Sequence, residues 1–162
     1  SDLRQHVIVG RVGDNHRRVM RWLRNLACLA AVFGLMQLVP CGVHSNPRIL
    51  GEPQWDSPRT RELAVRACFD CHSNETRWPW YAKVAPLSWV VAQDVENARD
   101  TVNFSEWTHS QDLAPESGPS VIRRDMPPYK YRMAHPTADL NEQERIELAR
   151  GLNRTLGVRG RI

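Results

Sequence analysis

Residues Ala67–Tyr81 read ACFDCHSNETRWPWY, which brings two cysteines, a histidine and three large aromatic side chains into fifteen positions. The stretch continues a helical pattern that starts at Pro58, with Ser57 before it as a hydroxyl cap. Apolar residues recur at helical spacing on one face, which holds Leu63, Ala64, Ala67, Cys68 and Cys71. We predict one helix from Pro58 to His72, with both cysteines starting on its buried side.

The rest of the domain also has a helical rather than a β pattern. Apolar spacing predicts a second helix over Leu87–Thr101. Asn141 and Glu144 form a capping pair for a last helix, which Gly157 ends. The Pro-, Ser- and Gly-rich stretch between these helices predicts a long loop with one short helical turn near Ser105–Ser110. The expected fold class is mainly α, a small helical domain with long loops.

The positive charge of the chain is concentrated near residue 1. Residues 1–25 hold six arginines against two aspartates, an excess equal to the net charge of +4 carried by all 162 residues. The rest of the protein is therefore neutral overall, which argues against a nucleic-acid-binding face. Leu26–Val39 has no charged residue, and Trp22 precedes it, where an amphipathic ring prefers the membrane interface. We predict a single N-terminal transmembrane helix, with a core helix or a signal peptide as alternatives.

These features divide the chain into a tail, an anchor, a linker and a domain. We predict a basic cytoplasmic tail over 1–22, a transmembrane anchor over 23–43, a linker over 44–57 and a helical domain over 58–162. The linker is rich in Pro and Gly and is expected to be extended. Because arginines cluster before the anchor, the N-terminus is expected in the cytoplasm and the domain on the periplasmic, outer side of the cell membrane.

Cys68, Cys71 and His72 spell C-x-x-C-H, the pattern of c-type haem attachment. In such a site two thiols add to the porphyrin vinyl groups, and the adjacent imidazole binds the iron. A structural zinc site would need a second ligand pair, and a thioredoxin-type pair would need a βαβ setting; the sequence has neither. A disulfide between residues so close together would be strained. We therefore expect one covalently attached haem c.

A second iron ligand is expected from a methionine or a histidine. Met126 lies in RDMPPYKY, where two prolines exclude helix and hold the chain rigid. Methionine as an axial ligand raises the reduction potential of the haem. Met126 is the preferred candidate, ahead of His135, Met133, His109 and a position without a protein ligand.

Further side chains are candidates for the surroundings of the haem. His72 needs an acceptor for its other ring nitrogen, which we expect from a backbone carbonyl near Pro79 or Pro86. The aromatic candidates, suited to lining the porphyrin or to ordinary core packing, are Trp78, Trp80, Tyr81, Trp89 and Trp107. The basic candidates, suited to binding the propionates or to solvated positions, are Arg77, Arg123, Arg124 and Lys130.

Two stretches carry a resemblance to a known family: ACFDCHSNETRWPWYAKVAPLSWVVAQDVENARDTVNFSEW and MPPYKYRMAHPTADLNEQERIELARGL. Over residues 46–151 the chain resembles the bacterial haem-binding domain family of membrane-anchored monohaem c-type cytochromes. The resemblance implies a c-type cytochrome-like domain with one haem, Cys68 and Cys71 as thioether sites and His72 as the proximal ligand. It matches the methionine of the family's MPP motif to Met126, and it implies a short membrane anchor.

An iron with two protein ligands has no open position for a substrate, so we expect one-electron transfer rather than catalysis. The anchor keeps the carrier near its partners at the lipid bilayer. We expect a subunit of a larger respiratory or photosynthetic membrane complex, in contact with other electron-transfer proteins. The alternative is a haem peroxidase-like enzyme or a haem-based sensor, either of which requires an open or displaceable sixth ligand.

Overall fold

The computed structural model describes residues 2–39, 42, 44–109 and 111–156, with side chains from residue 15 onward. This part of the chain is mainly α, as predicted, and holds no β-strand. Its α-helices are α1 (Asp2–Met36), α2 (Pro58–Ala67), α3 (Phe69–His72), α4 (Leu87–Thr101), α5 (Ser117–Ile122), α6 (Tyr129–Ala134) and α7 (Glu142–Thr155). Short 3₁₀ turns occupy Trp80–Lys83, Ala114–Glu116 and Pro136–Ala138.

Helix α1 joins the basic and the apolar N-terminal residues in one continuous element. Its portion Asn15–Met36 is long and apolar enough to cross a membrane, with a mean hydropathy of 1.4 and none of it buried. It is the one such helix among the described residues. Helix α1 ends at Met36, within the range 23–43 predicted for the anchor. Pro40, Cys41 and Val43 lie outside the described residues.

The predicted helix from Pro58 to His72 is two helices that meet at Cys68. The cap is confirmed, since Ser57 Oγ accepts a hydrogen bond from the Thr60 N–H at 3.2 Å and Pro58 is the first helical residue. Cys68 ends α2 with φ −123° and ψ −35°, and α3 starts at the next residue. A continuous helix would place Phe69 nearly opposite the buried face. The break instead lets Phe69 pack inside the core.

The predicted range of α4 is confirmed, and so is the cap of α7. Asn141 Oδ1 accepts from the Glu144 N–H at 2.9 Å, and Glu144 Oε2 accepts from the Asn141 N–H at 3.1 Å. These two bonds satisfy helix-end donors reciprocally. Gly157, the predicted stop signal, lies outside the described residues.

The stretch predicted as a long loop contains short helices instead. Ser105–His109 forms turns without a helix, and Ser110 lies outside the described residues. Helices α5 and α6 follow, each with a 3₁₀ turn beside it. Helix α5 lies very close to α7, because a Cβ at Gly118 would overlap the Asn153 side chain and the Ala149 carbonyl. That close approach, rather than helix propensity, explains a Gly-Pro pair inside a helix.

The segment 44–57, predicted as a linker, is extended but attached to the domain. Arg99 of α4 donates to the Ser45 carbonyl at 3.1 Å. Farther along, the Leu50 N–H donates to the Ser105 carbonyl at 2.8 Å. The segment is therefore part of the domain rather than a free tether.

Glu52 connects this segment to α2. Its carboxylate accepts hydrogen bonds from Arg61 at 2.6 and 2.7 Å and from the Trp55 indole at 2.7 Å. The hydrogen bond from Arg61 lowers the pKa of Glu52 despite the opposing effect of burial. The carboxylate thus stays charged at a lower pH in the folded chain than in the unfolded chain.

We expect the free energy of unfolding to fall as the pH drops from about 5 through the folded pKa of Glu52. The unfolded chain binds more protons in that range, because its glutamates titrate at their ordinary pKa. Urea unfolding of Glu52→Gln at a series of pH values should show a shallower acid decline than the parent chain. Glu96→Gln, which changes an exposed carboxylate on α4, is the control and should keep the parent profile. Identical profiles for Glu52→Gln and the parent would contradict the expectation.

Candidate cofactor-binding site

A largely apolar cleft, partly open to solvent, lies beside the C-x-x-C-H motif. Cys68 and His72 line it from the motif, together with residues at the end of α4. Val121 of α5, Met126 after that helix and Leu152 of α7 complete the lining with neighbouring residues. The cleft thus joins the motif to the methionine that the sequence favours as a ligand.

The imidazole of His72 is held by the backbone at the end of α4. Its Nδ1 lies 2.9 Å from the Val102 carbonyl oxygen and 3.0 Å from that of Ala98. Both partners are acceptors, so Nδ1 carries the proton and donates, which leaves the Nε2 lone pair for a metal. Burial lowers the pKa of His72 and so favours the neutral ring that binds metals.

Backbone carbonyls accept from His72, as predicted, but they come from a different part of the chain than predicted. The acceptors belong to the last turn of α4, not to the chain near Pro79 or Pro86. The Ala98 carbonyl also accepts from the Val102 N–H at 2.9 Å, and its second lone pair remains for the imidazole. Only the packing of α4 against α3 brings them to the ring.

Phe69, between the two cysteines, anchors α3 in the core. Its ring stacks on Phe104 with centroids 5.8 Å apart and planes at 15°. Phe104 also donates its N–H to the His72 carbonyl at 2.8 Å. These contacts fix α3 from both of its ends and orient Cys68 and His72 at the cleft.

Asp70, the other residue between the cysteines, is a buried carboxylate with several donors. It accepts hydrogen bonds from the Arg77 guanidinium at 3.1 and 3.2 Å, from the Arg77 N–H at 3.2 Å and from the Tyr131 hydroxyl at 2.7 Å. Burial raises the pKa of Asp70, but these hydrogen bonds outweigh it and the pKa is lowered. Because Tyr131 lies on α6, five residues after Met126, this cluster connects the motif to the methionine segment. Asp70 was not among the residues predicted for the site, although a carboxylate within a cysteine motif was a visible signal.

Replacement of Tyr131 by phenylalanine should remove the donor from α6 to Asp70. A hydrogen bond to a charged group contributes about 1.5–3 kcal/mol, so the free energy of unfolding should fall by that amount. Urea unfolding measures it. Tyr129→Phe, at an exposed tyrosine on the same helix, is the matched control and should stay within about 0.5 kcal/mol of the parent. Equal effects of the two variants would contradict a structural role for the Asp70 contact.

Cys68, Cys71 and Cys28 are free in the described part of the chain. Burial raises the pKa of Cys68 to about 12, and burial together with Asp70 raises that of Cys71 to about 11. A protonated thiol is a poor metal ligand and a poor redox nucleophile. No group of three or more His, Cys, Asp or Glu within the described residues is placed to hold a metal ion. Cys71 is half-buried and is not among the residues that line the cleft.

Of the four candidates for the second ligand, Met126 lines the cleft and is 38% exposed. Met133 does not line the cleft and is 67% exposed. The ring of His135 stacks on Tyr131 with centroids 4.2 Å apart. His109 is exposed and contacts Thr108. The geometry therefore brings Cys68, His72 and Met126 together and leaves the other candidates outside.

The five aromatic candidates for lining a porphyrin lie outside this cleft, and one of them, Trp107, stacks on Phe104 with centroids 6.0 Å apart. Trp78 packs edge-on against His44 at 4.9 Å between centroids. Trp80 is largely exposed and packs edge-on with Tyr81, and the Trp89 indole donates a hydrogen bond towards α1. The apolar lining comes instead from residues that sequence reasoning did not single out: Val102, Phe104, Leu113, Val121 and Leu152.

The basic candidates for the propionates are engaged in ion pairs. Arg77 pairs with Asp70, and the others pair at 2.6–2.9 Å: Arg123 with Asp125, Arg124 with Glu142, and Lys130 with Asp94. All four side chains are more than half exposed. Exposed ion pairs of this kind contribute little to stability. To bind a propionate, each of these side chains would have to leave its present acidic partner, which would cost little.

The Haem-binding domain family matches residues 31–154. The matched range takes in the C-x-x-C-H motif, every residue of the cleft and Met126. No curated protein and no solved structure gives a match to the chain.

Proposed function

The chain belongs to the Haem-binding domain family, and we propose that it is a membrane-anchored monohaem c-type cytochrome that transfers single electrons. One observation carries the proposal: Cys68, His72 and Met126 meet at one apolar cleft. The donor set suits a haem, because the free Nε2 of His72 and the thioether of Met126 are both axial ligands of haem iron.

A bound haem supplies an iron that gains or loses one electron. Cys68 and Cys71 would hold it by thioether bonds: each sulfur bonds to one vinyl carbon, and the thiol hydrogen goes to the other. His72 would bind the iron, with its ring orientation fixed by the Ala98 and Val102 carbonyls. Met126 would bind the iron as well, and an iron held by two side chains favours electron transfer over catalysis.

Helix α1 supports attachment to a membrane. Asn15–Met36 is long and apolar enough to span it. Six arginines lie in the chain before Asn25. By the positive-inside rule the N-terminus would lie in the cytoplasm and the domain on the periplasmic side. The anchored domain would exchange electrons with other subunits of a respiratory or photosynthetic membrane complex.

The intact mass and the optical spectrum of the purified full chain test this proposal. Expression in a host that attaches c-type haem should add one haem to the mass, and it should persist after denaturation. The oxidised protein should show the weak band near the red edge of the visible spectrum that reports iron–methionine ligation. An unmodified mass would overturn the proposal, and high-spin features would replace electron transfer with the peroxidase-like or sensor alternative.

A further inference from the structure

Hydrogen bonds attach the end of α1 to one particular part of the domain. The side-chain amide of Gln37 accepts from the Ala85 N–H at 2.9 Å and donates to the Ala85 carbonyl at 3.2 Å. Two residues farther on, the Val39 carbonyl accepts from the Trp89 indole at 3.3 Å. The residues around Ala85 are therefore held directly beside the end of the apolar helix.

That attachment determines the depth of these residues when α1 spans a bilayer. The apolar portion ends at Met36, one residue before Gln37. A bilayer has a hydrocarbon core of about 30 Å within a total of about 40–45 Å, so each interfacial layer is roughly 5–8 Å deep. Ala85 bonds to Gln37 at 2.9 Å and thus falls within that layer.

The exposed side chains around Ala85 have the chemistry of a membrane interface. Trp80 is 77% exposed, Leu87 52% and Val90 50%, and Lys83 is exposed among them. We call these four residues the anchor-side face. Leu87 and Val90, three residues apart on α4, project from the same side of the helix. Tryptophan favours the headgroup region, and lysine is attracted to anionic lipids.

The charge pattern of the sequence agrees with this chemistry. Between Arg77 and Asp94 the chain has one charged residue, Lys83, and it is basic. The same stretch holds three of the six tryptophans of the protein. The next charged residue on that side of α4 is Asp94, whose carboxylate is paired with Lys130 at 2.6 Å, so its repulsion from lipid phosphates is offset.

We propose that the anchor-side face rests in the headgroup layer of the outer leaflet, as a second membrane contact beside α1. This proposal rests on the membrane anchorage in the proposed function. The aromatic run Trp78–Trp89 lies outside the cleft. In this proposal, the exposed residues of that run contact lipid. Two contacts hold the domain in one orientation, so the cleft faces a fixed direction relative to the bilayer.

Site-specific photo-crosslinking tests the proposal. The full chain carries the photoreactive residue benzoylphenylalanine in place of Leu87 or Val90, one per variant. The control places it at Ile122, an exposed aliphatic position on α5, which packs on α7. Each variant is reconstituted in vesicles of phosphatidylcholine and phosphatidylglycerol, irradiated and measured as an intact mass.

We expect a lipid-sized mass addition at positions 87 and 90 that is severalfold more frequent than at 122. Equal lipid addition at all three positions, or addition of a second protein chain at 87 and 90, would overturn the proposal. The same mass spectrum shows whether haem is attached. Lipid addition without attached haem would support this proposal and contradict the electron-transfer function. Attached haem without lipid addition would contradict this proposal and leave the electron-transfer function in place.

Discussion

A chain in which Cys68 and Cys71 are both replaced by alanine is expected to carry no covalently bound haem after purification. Both sulfurs are needed as attachment atoms in the proposed site, and Cys68 lines the cleft directly. The change is all-or-none: the haem mass present in the parent should vanish from the intact mass of the denatured variant. Haem staining after denaturing electrophoresis gives an independent reading.

Cys28→Ala is the matched control for that variant. Cys28 is an exposed free thiol on α1, far along the chain from the motif. Its replacement should leave one haem attached.

The double variant should also lose stability, because the apolar lining of the cleft is left without a partner. We expect a loss of about 3–5 kcal/mol, similar to removal of a large core side chain. Haem that survives denaturation in the double variant would contradict the assignment of the thioether sites.

Replacement of Met126 by alanine is expected to leave the haem attached while lowering its reduction potential. The thioether ligand favours the reduced iron, and axial ligands together span a range of about 0.8 V. The shift should be a substantial part of that range. The weak band that reports iron–methionine ligation should disappear in the oxidised variant.

Met133→Ala is the control for that experiment. Met133 lies seven residues farther along, is 67% exposed and is outside the cleft. Its replacement should change neither the potential nor the spectrum. A Met126→Ala variant with the spectrum of the parent would move the ligand role to another residue.

The fold was predictable where local chemistry decides it. The Ser57–Pro58 start, the range of α4 and the Asn141–Glu144 capping box each depend on residues within four positions of one another. The break at Cys68 was not predictable, because it depends on Phe69 finding a place against Phe104. Helix α5 was missed for a similar reason.

The site divides in the same way. Cys68, Cys71 and His72 are adjacent in sequence, so the motif could be read directly. The lining of the cleft comes from α4, α5 and α7, and no local pattern brings Val102, Val121 and Leu152 together. The aromatic run was assigned to the haem because it lies near the motif in sequence. In space, Trp89 of that run donates its indole N–H to the Val39 carbonyl just past the end of α1.

Attachment of residues 44–57 limits how far the domain can move from the end of α1. A free segment of that length would extend up to about 45–50 Å. Instead, Arg99 and the Ser105 carbonyl pin it along the domain surface. The domain therefore stays beside the end of α1 instead of swinging on a tether. Under the proposed electron-transfer function, a donor and an acceptor would each have to approach the domain where it lies.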